Sequence, residues 1–90
     1  MNICKHYSIS GKVQGVFYRA SAKAKADELG ITGWVRNCAN GDVEVEACGT
    51  MEQLAELKLF LQQGPSRAQI EKVVEENCET KLFSDFRVLR

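Results

Sequence analysis

An Asn-Gly pair between two strand-like runs constrains the fold of this chain more than any other feature. Asn40-Gly41 follows a run rich in branched and aromatic residues, from Ile31 to Arg36, and precedes a strict alternation from Asp42 to Ala47. Because Asn-Gly readily adopts the positive φ angles of tight reverse turns, it favours an antiparallel β-hairpin. The apolar residues of the second run share one face, which we expect to be buried: Val43, Val45 and Ala47.

Helical periodicity occurs on both sides of this hairpin. Before it, a narrow apolar stripe predicts a helix from about Tyr18 to Leu29, which Gly30 ends. After it, Thr50 and Gln53 have the spacing of a capping box at the start of a second helix, which ends at Gly64-Pro65. The two stripes consist of Tyr18, Ala22, Ala26 and Leu29 in the first helix and Leu54, Leu57 and Leu61 in the second.

Further strands are predicted outside the hairpin. One alternates from Ile3 to Ile9, and two weaker ones lie around Ala68–Glu75 and Leu82–Leu89. The order β-α-β-β-α-β plus a short C-terminal strand predicts an α+β fold, a ferredoxin-like α/β sandwich. Its mixed, mainly antiparallel sheet carries both helices on one face, and the first and third strands are antiparallel neighbours. With 90 residues, we expect a single domain over residues 1–90.

Charge and hydropathy argue against several classes of function. Twelve Lys and Arg residues balance twelve Asp and Glu residues, so no global positive field attracts nucleic acid or an anionic membrane. No apolar run approaches the ~20 residues that cross a bilayer, and no signal peptide is evident, so we expect a cytoplasmic protein. The alternative is a single-stranded RNA-binding sheet. Its open face, however, would show Ser8 and two carboxylates, Glu44 and Glu46, which repel phosphate.

A glycine-flanked turn leads into the first predicted helix. Gly11 and Gly15 bracket this turn, and the helix start exposes backbone N–H groups that attract a phosphate-sized anion. Arg19 opposes the helix dipole at a cost of about 0.3–1 kcal/mol, which is explained if its guanidinium shares that anion. The segment lacks the glycine spacing of nucleotide P-loops and dinucleotide-binding folds. Spacing alone therefore leaves open an ordinary solvent-exposed arginine beside a chain reversal.

Two segments resemble the signatures of the acylphosphatase family. The first is Gly11-Lys12-Val13-Gln14-Gly15-Val16-Phe17-Tyr18-Arg19, and the second is Gly33-Trp34-Val35-Arg36-Asn37, followed by Gly41-Asp42-Val43 and Gly49. Gly64-Pro65 and Phe86 also fit the family, so the resemblance covers nearly the whole chain. It implies a ferredoxin-like fold and hydrolysis of acyl phosphates to a carboxylate and inorganic phosphate, without a metal or cofactor.

The resemblance also implies which residues act. The backbone from Gln14 to Arg19 would be the phosphate-binding loop, comprising Gln14, Gly15, Val16, Phe17, Tyr18 and Arg19. Arg19 would bind the phosphoryl oxygens, and Asn37 would hold the attacking water. A carboxamide has no useful proton affinity, so any proton is expected to pass to the substrate's own oxygens.

The expected ligands follow from the same resemblance. They are a small-molecule acyl phosphate as substrate and inorganic phosphate or sulfate as product-like ligands, bound by a monomer. Neither signature contains an evident pocket for the acyl group. The alternative is a carbamoyl-phosphate-handling unit within a larger enzyme, but we expect an independent hydrolase because the chain ends where the predicted domain ends.

The four cysteines contain no C-x-x-C pair, which argues against a zinc ribbon or a thioredoxin-type motif. In a reducing compartment we expect four thiols. If the first and third strands pair, Cys4 and Cys48 share the face without helices, and a register that places them opposite each other permits a disulfide. Cys4, His6 and Cys48 could alternatively bind a transition metal, although a fourth ligand is lacking, and we expect no metal site.

Overall fold

Residues 2–89, the part of the chain that the computed structural model describes, form five strands and two helices in the predicted order. The elements are β1 (Ile3–Lys12), α1 (Tyr18–Leu29), β2 (Thr32–Asn37), β3 (Val43–Gly49), α2 (Met51–Gln63), β4 (Gln69–Asn77) and β5 (Phe86–Val88). Each helix has the predicted ends. Thr50 and Gln53 form the capping box of α2, and Gly30 ends α1 in the left-handed conformation. Within residues 2–89, neither helix is long and apolar enough to cross a membrane.

The strands form one mixed sheet in the order β4-β1-β3-β2-β5. β1 pairs antiparallel with β3 and β4, β2 pairs antiparallel with β3, and β5 joins β2 in parallel. This topology confirms the predicted α+β ferredoxin-like sandwich with neighbouring first and third strands. β5 is shorter than the predicted strand Leu82–Leu89, because residues 78–85 must first carry the chain from β4 at one sheet edge to β5 at the other.

The core lies between the helices and one face of the sheet. The predicted helical stripes and the alternating apolar residues of β1 and β3 meet there, because helical and strand periodicity each place them on one side. Leu29 is only partly buried, whereas the remaining predicted core positions are buried: Val43, Val45, Ala47, Tyr18, Ala22, Ala26, Leu54, Leu57 and Leu61. Both helices therefore cover the same sheet face.

The opposite sheet face is less open than the sequence predicts. Glu46, expected to be exposed, is 6% exposed, and its carboxylate lies 3.0 Å from Nζ of Lys81. Cys4 and Cys48 are also buried; they lie opposite each other in the β1–β3 register, and their sulfurs form a disulfide. The cause is the connection of residues 78–85, which crosses this face and places the N–H of Lys81 3.3 Å from Sγ of Cys4.

A second group of charges occupies the same face beside this connection. Glu44 accepts from Arg36 and lies 3.0 Å from Nε2 of His6, and the Arg36 guanidinium stacks 5.1 Å from the centre of the Trp34 ring. Burial by itself would raise the pKa of Glu44, but the hydrogen bonds with His6 and Arg36 outweigh burial and lower it. Glu44 is therefore half-buried and paired rather than freely exposed, in contrast to the sequence prediction.

Candidate active site

A hollow of about 320 Å³ lies where the start of α1, the end of β2 and β5 meet. Its lining consists of Val13, Gly15, Phe17, Tyr18, Arg19, Ala20, Asn37 and Val88. Arg19 and Asn37 come from different signature segments, yet they line the same hollow. Of the other residues predicted to bind phosphate, Gly15, Phe17 and Tyr18 line it, whereas the side chain of Val16 is buried in the core.

The loop between β1 and α1 has an unusual backbone. It begins at a bulge between Ser10 and Gly11, where a Cβ on Gly11 would overlap the carbonyl of Gln69 in β4. Gly15 has a φ of 73°, and Phe17, the only non-glycine residue with positive φ among residues 2–89, has a φ of 63°. These positive φ angles let the chain turn directly into α1.

The first turn of α1 lacks negative charge of its own. It contains no acidic residue, and its N-cap residue, Phe17, makes no side-chain capping hydrogen bond. The backbone N–H groups at this end therefore retain their partial positive charge. Arg19 adds a full positive charge, and no carboxylate within residues 2–89 forms an ion pair with it. The arrangement favours an anion.

The guanidinium of Arg19 is held by the chain beyond β5. Its Nη1 donates to the carbonyl of Leu89 at 3.0 Å, and the N–H of Leu89 donates to the carbonyl of Val35 in β2 at 2.8 Å. The C-terminal strand thus orients the arginine and connects it to the strand that carries Asn37. The sequence contained no signal for this contact, since it depends on the parallel pairing of β5 with β2.

Gln14 has a role that the sequence analysis missed. It was predicted to contribute backbone to the loop, but its side-chain Nε2 also donates to the carbonyls of Cys38 and Asp42, at 2.9 and 2.8 Å. These two carbonyls belong to the β2–β3 turn, in which the N–H of Cys38 donates to the carbonyl of Asp42. Gln14 therefore ties the loop to the turn that immediately follows Asn37. The sequence identified Gln14 only by its position in the first signature. That position does not predict which groups its side chain contacts.

Asn37 is the last residue of β2, one residue beyond the predicted end of that strand, and it pairs with Val43 in β3. Its Oδ1 is buried and has no hydrogen-bond partner within the described residues. Buried acceptors are nearly always satisfied in folded proteins. An unpaired one in the lining of a hollow is therefore available to a ligand or a water molecule.

Within residues 2–89, the lining offers no side chain suited to proton transfer. Tyr18 donates its hydroxyl to the carbonyl of Leu61 at 2.7 Å, and burial raises the pKa of this phenol. Cys38 adjoins Asn37 but does not line the hollow, and burial raises the pKa of its thiol as well. His6 lies on the other side of the sheet with Glu44. Among the described residues, Arg19 is the one charged side chain in the lining.

The comparisons with known proteins agree with the two signature segments. The profile of the acylphosphatase family matches residues 5–88. An acylphosphatase of Coxiella burnetii is 47% identical over 85 residues, which cover 94% of this chain and 90% of that protein. One of Marinobacter nauticus is 51% identical over 83 residues, which cover 91% of this chain and 90% of that protein.

Solved structures extend this similarity to the fold. The structure of an acylphosphatase from Coxiella burnetii, 45% identical, superposes with a TM-score of 0.94 over 98% of this chain and 93% of that one. An acylphosphatase from Bacillus subtilis superposes with a TM-score of 0.95 over 100% of both chains at 23% identity, which shows the shared fold alone. The family profile and the relatives cover nearly the whole chain, which therefore belongs to the acylphosphatase family of enzymes.

Proposed function

We propose that this acylphosphatase binds the phosphoryl group of a small-molecule acyl phosphate in the hollow at the start of α1 and directs a water held by Asn37 at its phosphorus. The observation that carries the proposal is the position of Arg19 and Asn37 in the lining of one hollow. The same reasoning makes inorganic phosphate and sulfate ligands of the site.

Binding of the phosphoryl group is assigned to backbone N–H groups from Gln14 to Arg19 together with the Arg19 guanidinium. Support comes from the lack of acidic residues in the first turn of α1 and from the positive φ angles of the loop. The Leu89 carbonyl occupies Nη1 of Arg19, which leaves the remaining N–H groups of the fork for two phosphoryl oxygens. Since the loop and the arginine are held before substrate arrives, they stabilise charge without reorganising.

The chemical step needs no protein acid or base. The water oxygen forms a bond to phosphorus while the bond from phosphorus to the carboxylate oxygen breaks, and the carboxylate leaves with the electron pair. The proton of the water passes to an oxygen of the substrate. Because a carboxylate is a stable leaving group, positioning and charge stabilisation suffice. Asn37 fits the positioning role, because its buried Oδ1 lacks a protein partner and accepts a hydrogen bond from the water.

We propose that the enzyme acts without a metal or cofactor, as a monomeric cytoplasmic domain over residues 1–90. The hollow supports the first point, because none of the lining side chains that the structure describes is a carboxylate, histidine or cysteine of the kind that holds catalytic metals. The relatives support an independent hydrolase over a carbamoyl-phosphate unit of a larger enzyme, because the match covers 90% of their own length.

Phosphate release from a set of substrates tests the proposed mechanism. We expect hydrolysis of acetyl phosphate and benzoyl phosphate in the presence of a chelator, with competitive inhibition by inorganic phosphate. Glycerol 3-phosphate should be inert, since its poor alkoxide leaving group requires an acid and none of the described lining residues supplies one. Comparable turnover of this monoester would contradict the mechanism, as would loss of acyl phosphate hydrolysis on chelation.

A further inference from the structure

Phe17 combines an unfavourable backbone conformation with an exposed aromatic side chain. It occupies the left-handed region, with φ 63° and ψ 21°, at the N-cap of α1, and its side chain is 75% exposed. A bulky residue in this conformation is destabilising relative to the right-handed region, because its Cβ lies too close to the following carbonyl oxygen. The ring offsets little of that cost by packing, since most of its surface remains in water. The fold therefore supplies no reason for an aromatic residue here.

The location of Phe17 suggests a reason. The neighbours on either side, Val16 and Tyr18, are buried, so the left-handed turn points the Phe17 ring out of the core while they anchor the loop. The ring lines the same hollow as Arg19, and Val88 of β5, 38% exposed, lines it too. An apolar surface thus lies directly beside the proposed phosphate-binding groups.

We propose that Phe17, together with Val88, forms the wall against which the acyl group of the substrate lies, and that this wall makes the enzyme favour acyl phosphates with an uncharged apolar acyl group. The proposal rests on the proposed function, since it assumes that the phosphoryl group is bound next to Arg19. It supplies the acyl-side contact that neither sequence signature revealed.

The charges in the lining favour uncharged acyl groups over charged ones. Within residues 2–89, Arg19 is the one charged side chain in the lining, and the proposed mechanism commits it to the phosphoryl oxygens. A carboxylate or ammonium group at the far end of the acyl chain would therefore have no partner among the described lining residues, and it would lose hydration against Phe17 and Val88. An aryl or alkyl acyl group, in contrast, removes apolar surface from water on both sides of the contact.

The test compares two substrates on the same variants. The measured quantity is the ratio of kcat/KM for benzoyl phosphate to kcat/KM for acetyl phosphate, in the intact chain and in Phe17→Asn. Asparagine tolerates the left-handed conformation, so the loop turn is kept while the ring is removed. We expect the ratio to fall about 3- to 10-fold, as for loss of one aromatic contact. Any change to phosphate binding affects both substrates and cancels in the ratio.

Two further variants complete the test. Val88→Thr keeps a β-branched side chain of similar shape but makes the wall polar, and should lower the same ratio by a smaller factor. Leu59→Asn is the matched control, because Leu59 is 67% exposed on α2 and does not line the hollow; its ratio and its turnover should equal those of the unmodified chain.

The outcomes separate this proposal from the mechanism. An unchanged ratio in both Phe17→Asn and Val88→Thr would overturn the acyl wall, even if both substrates are still hydrolysed. An equal fall of the ratio in Leu59→Asn would also overturn it. If Arg19→Ala hydrolyses both substrates as fast as the unmodified chain, the proposed mechanism itself fails. A selective loss of benzoyl phosphate turnover in Phe17→Asn supports the acyl wall.

Discussion

The sheet face without helices and the hollow at the start of α1 both adjoin strands β2 and β5, but their polar groups differ. Those of the face have partners within the fold, whereas the hollow contains polar groups that lack one. On the face, Glu46 pairs with Lys81, and Glu44 interacts with both His6 and Arg36. A disulfide joins β1 to β3 beside them. The polar groups of this face are satisfied within the fold, so their interactions contribute to stability.

The hollow has the opposite character. Asn37 retains a buried oxygen without a protein partner, the start of α1 lacks a side-chain cap, and Phe17 exposes its ring from a left-handed backbone. Each of these features costs stability in the free protein. The hollow thus retains unsatisfied groups that a ligand can satisfy, whereas the charged groups of the opposite sheet face are paired with one another. Outside the hollow, the buried hydroxyl of Tyr7 also has no partner within the described residues. Three experiments test this contrast.

Arg19→Ala should have the largest effect of the three changes, and that effect should be on the activity of the hollow rather than on stability. We expect kcat/KM for acetyl phosphate to fall by about 10³-fold or more, together with loss of inhibition by inorganic phosphate, because in the proposed mechanism the guanidinium binds phosphoryl oxygens before and during the reaction. Tm should change little, since the side chain is half-buried and makes one hydrogen bond within the described residues, to Leu89. Steady-state kinetics and a thermal melt measure both quantities.

The matched control for this substitution is Arg36→Ala, which removes an arginine from the other face. Arg36 contacts Glu44 and Trp34 rather than the hollow, so its loss should leave kcat/KM unchanged. If the two variants lost activity equally, the division between the two regions would be wrong.

Asn37→Ala should have the next largest effect, on turnover alone. We expect kcat to fall by about 10²- to 10³-fold, as for other single groups that position or stabilise reacting atoms. The inhibition constant for inorganic phosphate should remain unchanged, because the proposed mechanism assigns phosphate binding to the loop and Arg19. Tm should hold or rise slightly, since the substitution removes a buried oxygen that has no partner.

Asn40→Ala is the control for this experiment. Asn40 lies in the same β2–β3 connection, where its side chain contacts Asp42 on the surface, so kcat should be unaffected. Loss of phosphate inhibition in Asn37→Ala would show that Asn37 binds phosphate and does not merely orient water.

Removal of the Cys4–Cys48 disulfide should have the smallest effect on activity while lowering stability. The bond closes a loop between residues separated by 44 positions, and the chain-entropy model gives about 2–4 kcal/mol for its removal. Urea unfolding of Cys48→Ser should show that loss in the free energy of unfolding. kcat/KM should be unchanged under conditions where the variant is folded, because the bond lies on the face away from the hollow.

Cys78→Ser provides the control, because Cys78 is a free cysteine next to the same face. It should unfold at the same urea concentration as the unmodified chain. Equal unfolding midpoints for the unmodified chain with and without reductant would show that the disulfide does not reinforce this face.

Much of the fold was predictable from local patterns. The apolar stripes of α1 and α2, the Asn40-Gly41 turn and the Thr50 capping box all act within a few residues, so periodicity and turn chemistry identify them. Strand parity predicted that Cys4 and Cys48 share a face of the sheet, but the register that places them opposite each other came from the structure. The burial of Glu46 was not predictable from local patterns, because it depends on the path of residues 78–85 across the sheet.

The candidate site likewise combines residues that the sequence predicted with contacts that it did not predict. Arg19 and Asn37 were both named from the signature segments, and the structure brings them to one hollow; their roles stay predictions. The contacts that hold the side chains of the site in place could not be predicted from the sequence. Gln14 binds carbonyls on either side of the β2–β3 turn, and Arg19 binds a carbonyl beyond β5. No local pattern specifies which distant carbonyl a long polar side chain will reach.

The amino-acid sequence was therefore sufficient to predict the helices, the hairpin and the core face, because each depends on residues close together in the chain. Arg19 and Asn37 were named through the resemblance of the signature segments, and their roles stay predictions. The tertiary structure alone decided which polar groups find partners and which stay free. It pairs Glu46 with Lys81, leaves Oδ1 of Asn37 unpaired and turns Phe17 toward the hollow. The physical reason is that a hydrogen bond or an apolar contact depends on distance in space, which strand order and chain path set only when the sheet is complete.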